Sequence, residues 1–398
     1  MQSTKLALEG GTPVRTQTLP YARQCLDEKD LQAMLQVLRS DWLTTGPNVA
    51  AFEEGLTDLT GASEAVSVSS GTAALHTAMA GAQVGPGDEV LVTTMTFVAS
   101  ANCAVYQGAT PVFCDVSSDS LLIDPDSVAE RISHKTKAVV AVDYTGQPCD
   151  YDALKAICEQ YGSVLIGDAA HSLGGSYKGR KVGTLADLTA MSFHPAKHIT
   201  TGEGGAVLAE DPEAAKRMRS FRNHGIDLDL KQRAAKGTWH YEMTSLGYNY
   251  RLNDFQCILG LSQLAKLPAW VERRKELAKR YNQAFADMPG LVTLVNAPDR
   301  ENSQHIYVVK LDLTRLSADR DQIYKALRAE GIGVNVHYTP VHMHPFYRQN
   351  FGTKEGTAPR AEQAAKEILT LPLFPLMSDA DADDVVMAMD KVLKAYLL

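Results

Sequence analysis

Two stretches of this chain carry residues whose types and order could do chemistry together. In the first, an apolar run, Val164-Leu165-Ile166, ends in Gly167-Asp168-Ala169-Ala170-His171. The second, Ser192-Phe193-His194-Pro195-Ala196-Lys197-His198-Ile199-Thr200-Thr201-Gly202-Glu203-Gly204-Gly205, sets one lysine among small and hydroxyl residues and closes on glycines. A lysine can hold an aldehyde as a Schiff base when desolvation or a nearby cation keeps part of it neutral. A carboxylate at a strand end can keep a pyridine nitrogen protonated, which makes the ring an electron sink. Together Lys197 and Asp168 suggest pyridoxal phosphate (PLP) chemistry. Singly, each has an ordinary alternative: most lysines are solvated, and an aspartate after a strand is often a helix N-cap.

A phosphate needs its own cradle. Ser69-Ser70-Gly71-Thr72-Ala73-Ala74 lies where a short β-compatible run gives way to an alanine-rich helical one, so backbone amides and hydroxyls there suit an anion, helped by the helix dipole. Ser192 can add a hydroxyl. His171 could lie beside the ring or its phenolic oxygen, and Phe97 either stacks on the ring or is a core aromatic. Other motifs fail. His194 and His198 lack the glutamate of H-E-x-x-H and have Pro195 between them, and His342-Met343-His344 is too sparse, so no metal site is expected. Gly85-Pro86-Gly87-Asp88-Glu89-Val90 precedes a strand and lacks the third glycine of a dinucleotide fingerprint, which disfavours an NAD enzyme.

The elements that must position these residues alternate. Apolar runs at 65–69, 89–93, 111–114, 138–142 and 164–166 are separated by helical stretches at 73–82, 97–107, 125–132 and 151–160, the pattern of a mostly parallel sheet covered on both faces. Strands near 189–193 and 205–209 bracket the lysine loop. Residues 27–39 read as a helix capped by Asp27, with Leu31, Met34, Leu35 and Leu38 on one face. Residues 252–288 read as mostly helical, with Glu272-Arg273-Arg274-Lys275-Glu276 as a solvated face. Strand (306–311), helix (320–330), strand (333–337) and terminal helix (379–396) then suggest a smaller α+β unit. The expected division is a large domain with an N-terminal arm over 1–265 and a small C-terminal α+β domain over 266–398.

With 398 residues and a net charge of −8, the chain suits no general nucleic-acid or anionic-membrane surface. No apolar stretch is long enough to span a bilayer, and no signal-peptide pattern opens the sequence. Six cysteines at 25, 103, 114, 149, 158 and 257 form no C-x-x-C pair, as expected of reduced thiols in a cytoplasmic protein.

Six landmarks in order resemble the DegT/DnrJ/EryC1/StrS sugar aminotransferases, which have the aspartate-aminotransferase fold (PLP fold type I). They are Trp42-Leu43-Thr44-Thr45-Gly46-Pro47, Ser70-Gly71-Thr72-Ala73-Ala74-Leu75, Thr96-Phe97-Val98-Ala99-Ser100, Gly167-Asp168-Ala169-Ala170-His171, Ser192-Phe193-His194-Pro195-Ala196-Lys197 and Gly247-Tyr248-Asn249-Tyr250-Arg251-Leu252. The resemblance implies that Lys197 is the Schiff-base lysine and proton shuttle and that Asp168 pairs with the pyridine nitrogen. It implies further that Gly71, Thr72, Ala73 and Ser192 hold the phosphate, with Phe97 and His171 at the ring. Asn249 would reach the phosphate in a neighbouring subunit, making a homodimer with shared sites. Tyr21, Asp41, Trp42, Leu43, Thr44, Gly71, Asn335, Val336, His337 and Tyr338 would contact a nucleotide sugar. Tyr21, Val142-Asp143-Tyr144 and Val336-His337-Tyr338-Thr339-Pro340 are similar to the branch that aminates C4 of a UDP-linked 4-keto-6-deoxy sugar, with L-glutamate as donor, for pseudaminic acid. The stretch from Asp227 to Tyr241 is longer and more basic than that branch leads one to expect. Dehydratase relatives carry histidine where Lys197 stands, so amino transfer is the expected reaction. The alternatives are another UDP- or dTDP-linked keto sugar, or a binding or regulatory protein that keeps the fold without turnover.

Overall fold

A computed structural model describes residues 5–398. Its strands, in chain order, are β1 (Glu64–Val68), β2 (Glu89–Thr93), β3 (Thr110–Cys114), β4 (Thr136–Val142), β5 (Val164–Asp168), β6 (Ser176–Tyr177), β7 (Arg180–Lys181), β8 (Leu188–Ser192), β9 (Gly205–Ala209), β10 (Leu291–Thr293), β11 (Arg300–Glu301), β12 (Tyr307–Leu311) and β13 (Ile368–Leu371). A seven-stranded sheet runs β1-β9-β8-β5-β4-β2-β3. Its β3, β2, β4, β5 and β8 are parallel neighbours, and β9 lies antiparallel between β8 and β1. Two three-stranded sheets, β10-β12-β13 and β11-β6-β7, complete the strands.

Continuous apolar runs have a direct reason here, because both faces of the large sheet are buried. In β4, Val139 and Ala141 belong to one core cluster while Ala138, Val140 and Val142 belong to the other. The same alternation separates Leu165 from Ile166 in β5 and Leu208 from Val207 in β9. A third cluster joins β12 and β13 to the helices Leu267–Phe285, Arg320–Ala329 and Asp379–Tyr396. Leu6 and Leu19 from the N-terminal stretch pack into this third cluster, and Leu19 bridges Ile332.

Three sequence expectations need correction. The stretch 333–337 is not a strand: it is extended and holds one bridge, Asn335 to Thr370. The pairing partner of β12 on that side is instead β13, whose residues follow a helix directly. The mostly helical reading of 252–288 holds: the stretch forms Asp254–Leu264 and the long Leu267–Phe285, the second opening with Pro268 in its first turn, where the missing N–H costs nothing. Asp27 does cap the helix Glu28–Leu38, but that helix buries Asp30 and Val37, while Leu31, Leu35 and Leu38 are exposed. The anchor is polar: Ser262 Oγ and Gln263 Nε2 donate to the Asp30 carboxylate, which also pairs with Lys266.

The third correction concerns the charged run at 272–276. Arg273 is solvated and pairs with Glu276 and Asp379, but Arg274 is only 1% exposed. Val271, Arg274, Ala278, Tyr281 and Phe285 share one helix face by their spacing of three and four, so Arg274 enters the core with them. Its Nη1 donates to the carbonyls of Gln304, His305 and Leu373, clamping two loops. Arg274→Met should therefore cost about 3 kcal/mol of unfolding free energy, since those carbonyls lose a charged donor. Urea titration of the two proteins measures it, and a loss below about 0.5 kcal/mol would show that the clamp is not structural.

Candidate active site

In an open parallel sheet, ligands bind outside the carboxyl ends of the strands. Here those ends gather the sequence-predicted groups. The turn Ser69–Thr72 follows β1, Thr94–Phe97 follows β2, Asp168–His171 closes β5 and Ser192–Lys197 leaves β8. Asp168 pairs with Ala190 across β5 and β8, and Ser192 stands opposite Gly205, which stands opposite Val68. Lysine loop, carboxylate and phosphate turn thus lie along one edge.

Asp168 is buried, accepting from Ser100 Oγ at 2.7 Å and from the Ala170 N–H at 3.2 Å. Burial raises its pKa, opposed by those hydrogen bonds and by the charge of Lys197. Lys197 is partly buried, and its Nζ makes no hydrogen bond or ion pair with a described residue. Desolvation lowers its pKa to about 8, with Asp168 pulling the other way. A fully solvated lysine, the ordinary alternative, does not fit that environment. An amine partly neutral near physiological pH, beside a buried carboxylate, is the pair that Schiff-base chemistry needs.

The helix Gly71–Gly81 starts at the same edge. Ser70 caps it by accepting from the Ala73 N–H, while the amides of Gly71 and Thr72 have no partner among the described residues. Gly71 lies against the lysine strand: a Cβ there would sit 2.7 Å from Ser192 Cβ. Gly205 is equally constrained, since a Cβ would meet the Ser70 carbonyl at 2.5 Å. Free amides at a helix start, the hydroxyls of Thr72 and Ser192, a buried carboxylate and a partly neutral lysine together fit the phosphate, ring nitrogen and aldehyde of PLP.

His171, Tyr338, His337 and Tyr21 are brought together behind this edge. Tyr338 Oη lies 3.2 Å from His171 Nε2, and Tyr21 faces the His337 ring at 5.5 Å. Phe97 is not a core aromatic. It is 56% exposed and faces Tyr338 at 6.3 Å. Asn335 donates weakly toward His337 Nε2, and His337 Nδ1 meets Thr370 Oγ1 at 2.8 Å. Val336 is partly buried, wedged between the first and third clusters.

Other predicted residues stand apart from Lys197 within one chain. Asp41, Trp42, Leu43 and Thr44 are exposed. Thr44 borders a cavity of about 1510 Å³ whose other walls include Arg222, Asn223, Arg233, Tyr241 and Arg251, and which none of the Lys197 neighbours lines. The 227–241 stretch that borders it contains a short helix, Leu230–Ala235, capped by Asp229. Arg233 lies over the Tyr241 ring at 4.8 Å. Asn249 is exposed, between Tyr248 and Tyr250, which stack on each other and meet His76 edge-on.

Sequence reasoning passed over several residues. Ser100, bonded to Asp168 and to Thr96 Oγ1, appeared only inside a motif. His305 gave no signal, because a lone histidine has none, and His198 was weighed only as a zinc ligand; both are buried in one cluster with His171. Among the described residues no group of His, Cys, Asp and Glu is arranged to hold a metal ion, and no helix is long and apolar enough to cross a membrane.

This edge-on constellation on an α/β sheet is that of an aminotransferase of PLP fold type I. The chain belongs to the DegT/DnrJ/EryC1/StrS aminotransferase family, whose model matches residues 24–390. It is 40% identical to the Bacillus subtilis spore coat polysaccharide biosynthesis protein SpsC over 96% of this chain and 98% of that one. Its structure is similar to Spr1654 of Streptococcus pneumoniae, assigned as a sugar aminotransferase and solved in a PMP form (TM-score 0.90, 32% identity, 95% of this chain and 99% of that one). It is also similar to Helicobacter pylori PseC, an aminotransferase of pseudaminic acid biosynthesis (TM-score 0.88, 32% identity, 95% and 100%). A further structure of Spr1654 is a PLP form, and PLP is the cofactor of the family.

The charge balance at Lys197 gives a pH prediction. Association of PLP with cofactor-free protein should quicken as pH rises through about 8, where the amine loses its proton. Asp168→Asn removes the carboxylate that favours the ammonium form, so the midpoint should move down. Stopped-flow absorbance reads it, and an upward move would contradict the pairing.

Proposed function

We propose that this chain transfers the amino group of L-glutamate to C4 of a UDP-linked 4-keto-6-deoxy sugar. The product would be UDP-4-amino-4,6-dideoxy-N-acetyl-β-L-altrosamine, a precursor of pseudaminic acid. The observation that carries the amino-transfer reading is the partly buried, unpaired Lys197 beside buried Asp168 at the carboxyl edge of the sheet. Similarity to PseC, together with the clustering of Tyr21, His337 and Tyr338, supports the sugar. SpsC is the more identical relative, which favours a second reading: another UDP- or dTDP-linked keto sugar destined for a surface polysaccharide.

The residues divide the work. The Gly71 and Thr72 amides with the Thr72 and Ser192 hydroxyls bind the phosphate, and Ala73 keeps the Ser70 cap in place. Asp168, held by Ser100, would accept the N–H of the pyridine ring, and Phe97, His171 and Tyr338 would line the ring's place. When bound, PLP supplies the electron sink for cleavage at the substrate carbon. Lys197 Nζ takes a proton from Cα of glutamate while that substrate becomes 2-oxoglutarate, and returns a proton to C4 of the sugar in the second half of the cycle. Tyr21, Asn335, Val336, His337 and Tyr338 orient the sugar nucleotide, with Asp41 to Thr44 at its far end.

The exposed position of Asn249 supports a homodimer in which this side chain reaches the phosphate held by the partner copy. The long 227–241 stretch beside Thr44 would then shape the nucleotide end of the pocket. Six unpaired cysteines suit a reducing, cytoplasmic location. The third possibility, a fold kept for binding without turnover, fits poorly with an intact lysine and aspartate.

Three measurements test this reading. Lys197→Ala should abolish the visible band of bound PLP and glutamate-dependent amination, and retention of both would refute the role of Lys197. Wild-type protein should aminate UDP-linked 4-keto sugars in a screen that includes dTDP analogues, and reaction with dTDP sugars alone would transfer the case to the second reading. Mixing inactive Lys197→Ala with inactive Asn249→Ala protein should restore activity, because a mixed dimer keeps one intact site. No recovery after subunit exchange would place Asn249 outside the partner's site.

A further inference from the structure

Asn249 is exposed, but the backbone that carries it is held on two sides. On one side lies the end of the helix Pro212–Phe221. Asn249 bridges Asn223 there, with the Tyr250 N–H donating to the Arg222 carbonyl and the His224 N–H donating to the Tyr248 carbonyl, each at 3.0 Å. The Tyr248 N–H donates to the Phe221 carbonyl, and Arg251 Nη1 donates to Asn223 Oδ1, both at 2.7 Å. A glycine permits the approach: a Cβ on Gly247 would lie 2.2 Å from the Gly225 nitrogen.

On the other side lies the phosphate turn of the same chain. The Ser69 N–H donates to the Tyr250 carbonyl at 2.8 Å. His76 stands in the second turn of the helix Gly71–Gly81, and its Nδ1 lies 3.1 Å from Tyr250 Oη. Burial pushes the His76 pKa down to about 4 and raises that of Tyr250, so the bond joins two neutral groups. A hydroxyl can donate or accept, so the bond holds in either imidazole tautomer. It is the only hydrogen bond of that ring among the described residues, because Nε2 has no partner. Phe221 and Tyr248 meet the ring edge-on at 5.0 Å. Tyr250 is thus bonded through both its carbonyl and its hydroxyl to the elements that form its own chain's phosphate cradle.

We propose that His76 and Tyr250 are positioning residues for the partner copy's cofactor: they fix the Asn249 turn on their own phosphate cradle, so that one rigid unit serves two sites. Its helix-start amides hold one phosphate, and Asn249, next to the anchored Tyr250, reaches the other. A donor on a loose surface turn would lose conformational freedom on binding, and a turn anchored in advance does not. Neither His76 nor Tyr250 needs to touch the phosphate it serves.

This inference rests on the homodimer reading above. Cofactor-free full-length protein is titrated with PLP and, separately, with pyridoxal, which has the same ring and aldehyde but no phosphate. Visible absorbance reads both. Tyr250→Phe removes one hydroxyl and keeps the stack on Tyr248. It should raise the PLP dissociation constant about fivefold, the scale of one neutral hydrogen bond, and leave that of pyridoxal unchanged. His76→Phe should do the same, and His76→Asn, which keeps a polar atom near the place of Nδ1, should recover most of the affinity. Tyr250→Phe added to Asn249→Ala should cause no further loss, because the effect runs through Asn249. In mixed dimers the loss should appear when Tyr250→Phe sits on a Lys197→Ala copy, since only the other copy's Lys197 forms the visible band. Equal losses for PLP and pyridoxal, additive losses in the double variant, or a loss confined to the copy that carries Tyr250→Phe would overturn the proposal. Weakened PLP binding in Asn249→Ala beside an unchanged Tyr250→Phe would also overturn it and leave the homodimer reading standing. Unchanged PLP binding in Asn249→Ala would remove the shared site itself, and this proposal with it.

Discussion

The structure depends on keeping two opposite charges, Asp168 and Lys197, together and away from water. Desolvation penalises both: it raises the carboxyl pKa and lowers that of the amine. Each partly relieves the other, and Ser100 and the Ala170 amide steady the carboxylate. The result is an amine partly neutral near pH 8 and a buried carboxylate beside it. Both features disappear if solvent reaches the pair, so the surrounding architecture serves to exclude it.

That requirement explains the sheet. A parallel sheet buried on both faces places several strand ends side by side at one edge, with low-dielectric cores above and below. Lysine loop, aspartate and phosphate turn come from β8, β5 and the residues after β1, far apart in sequence. Close backbone approach does the rest. Gly71 packs on Ser192 and Gly205 packs under Ser70, so the phosphate turn and the lysine strand are held in contact by the absence of side chains.

Behind the edge, the protein spends buried polarity freely. Arg274 clamps the loop at 304–305, and Ser303 bonds His171. Such groups are costly to bury and so are held by several partners each. Through Ser303 that loop is tied to His171, in the turn that follows Asp168.

Much of this was legible in the sequence. Uninterrupted apolar runs announced strands buried on both faces, and the order of Ser70-Gly71-Thr72, Asp168 and Lys197 named the chemistry. Less legible were features whose cause lies elsewhere in the chain. Leu31, Leu35 and Leu38 suggested an inward face, but the helix is anchored through Asp30 to Ser262, Gln263 and Lys266, a contact that local periodicity does not encode. Arg274 read as solvated because its neighbours are charged, yet helix phase turned it inward. The run 333–337 has strand-like residues, but β13 took the place beside β12.

The sequence by itself determined the reactive groups and the alternating layers, because residue type sets the chemistry and apolar periodicity sets which surfaces must leave water. Tertiary structure alone decided the state of those groups. The neutral fraction of Lys197, the partners of Asp168, and the meeting of His171, His198 and His305 depend on distance and desolvation, which arise only when strands remote in the chain are packed edge to edge.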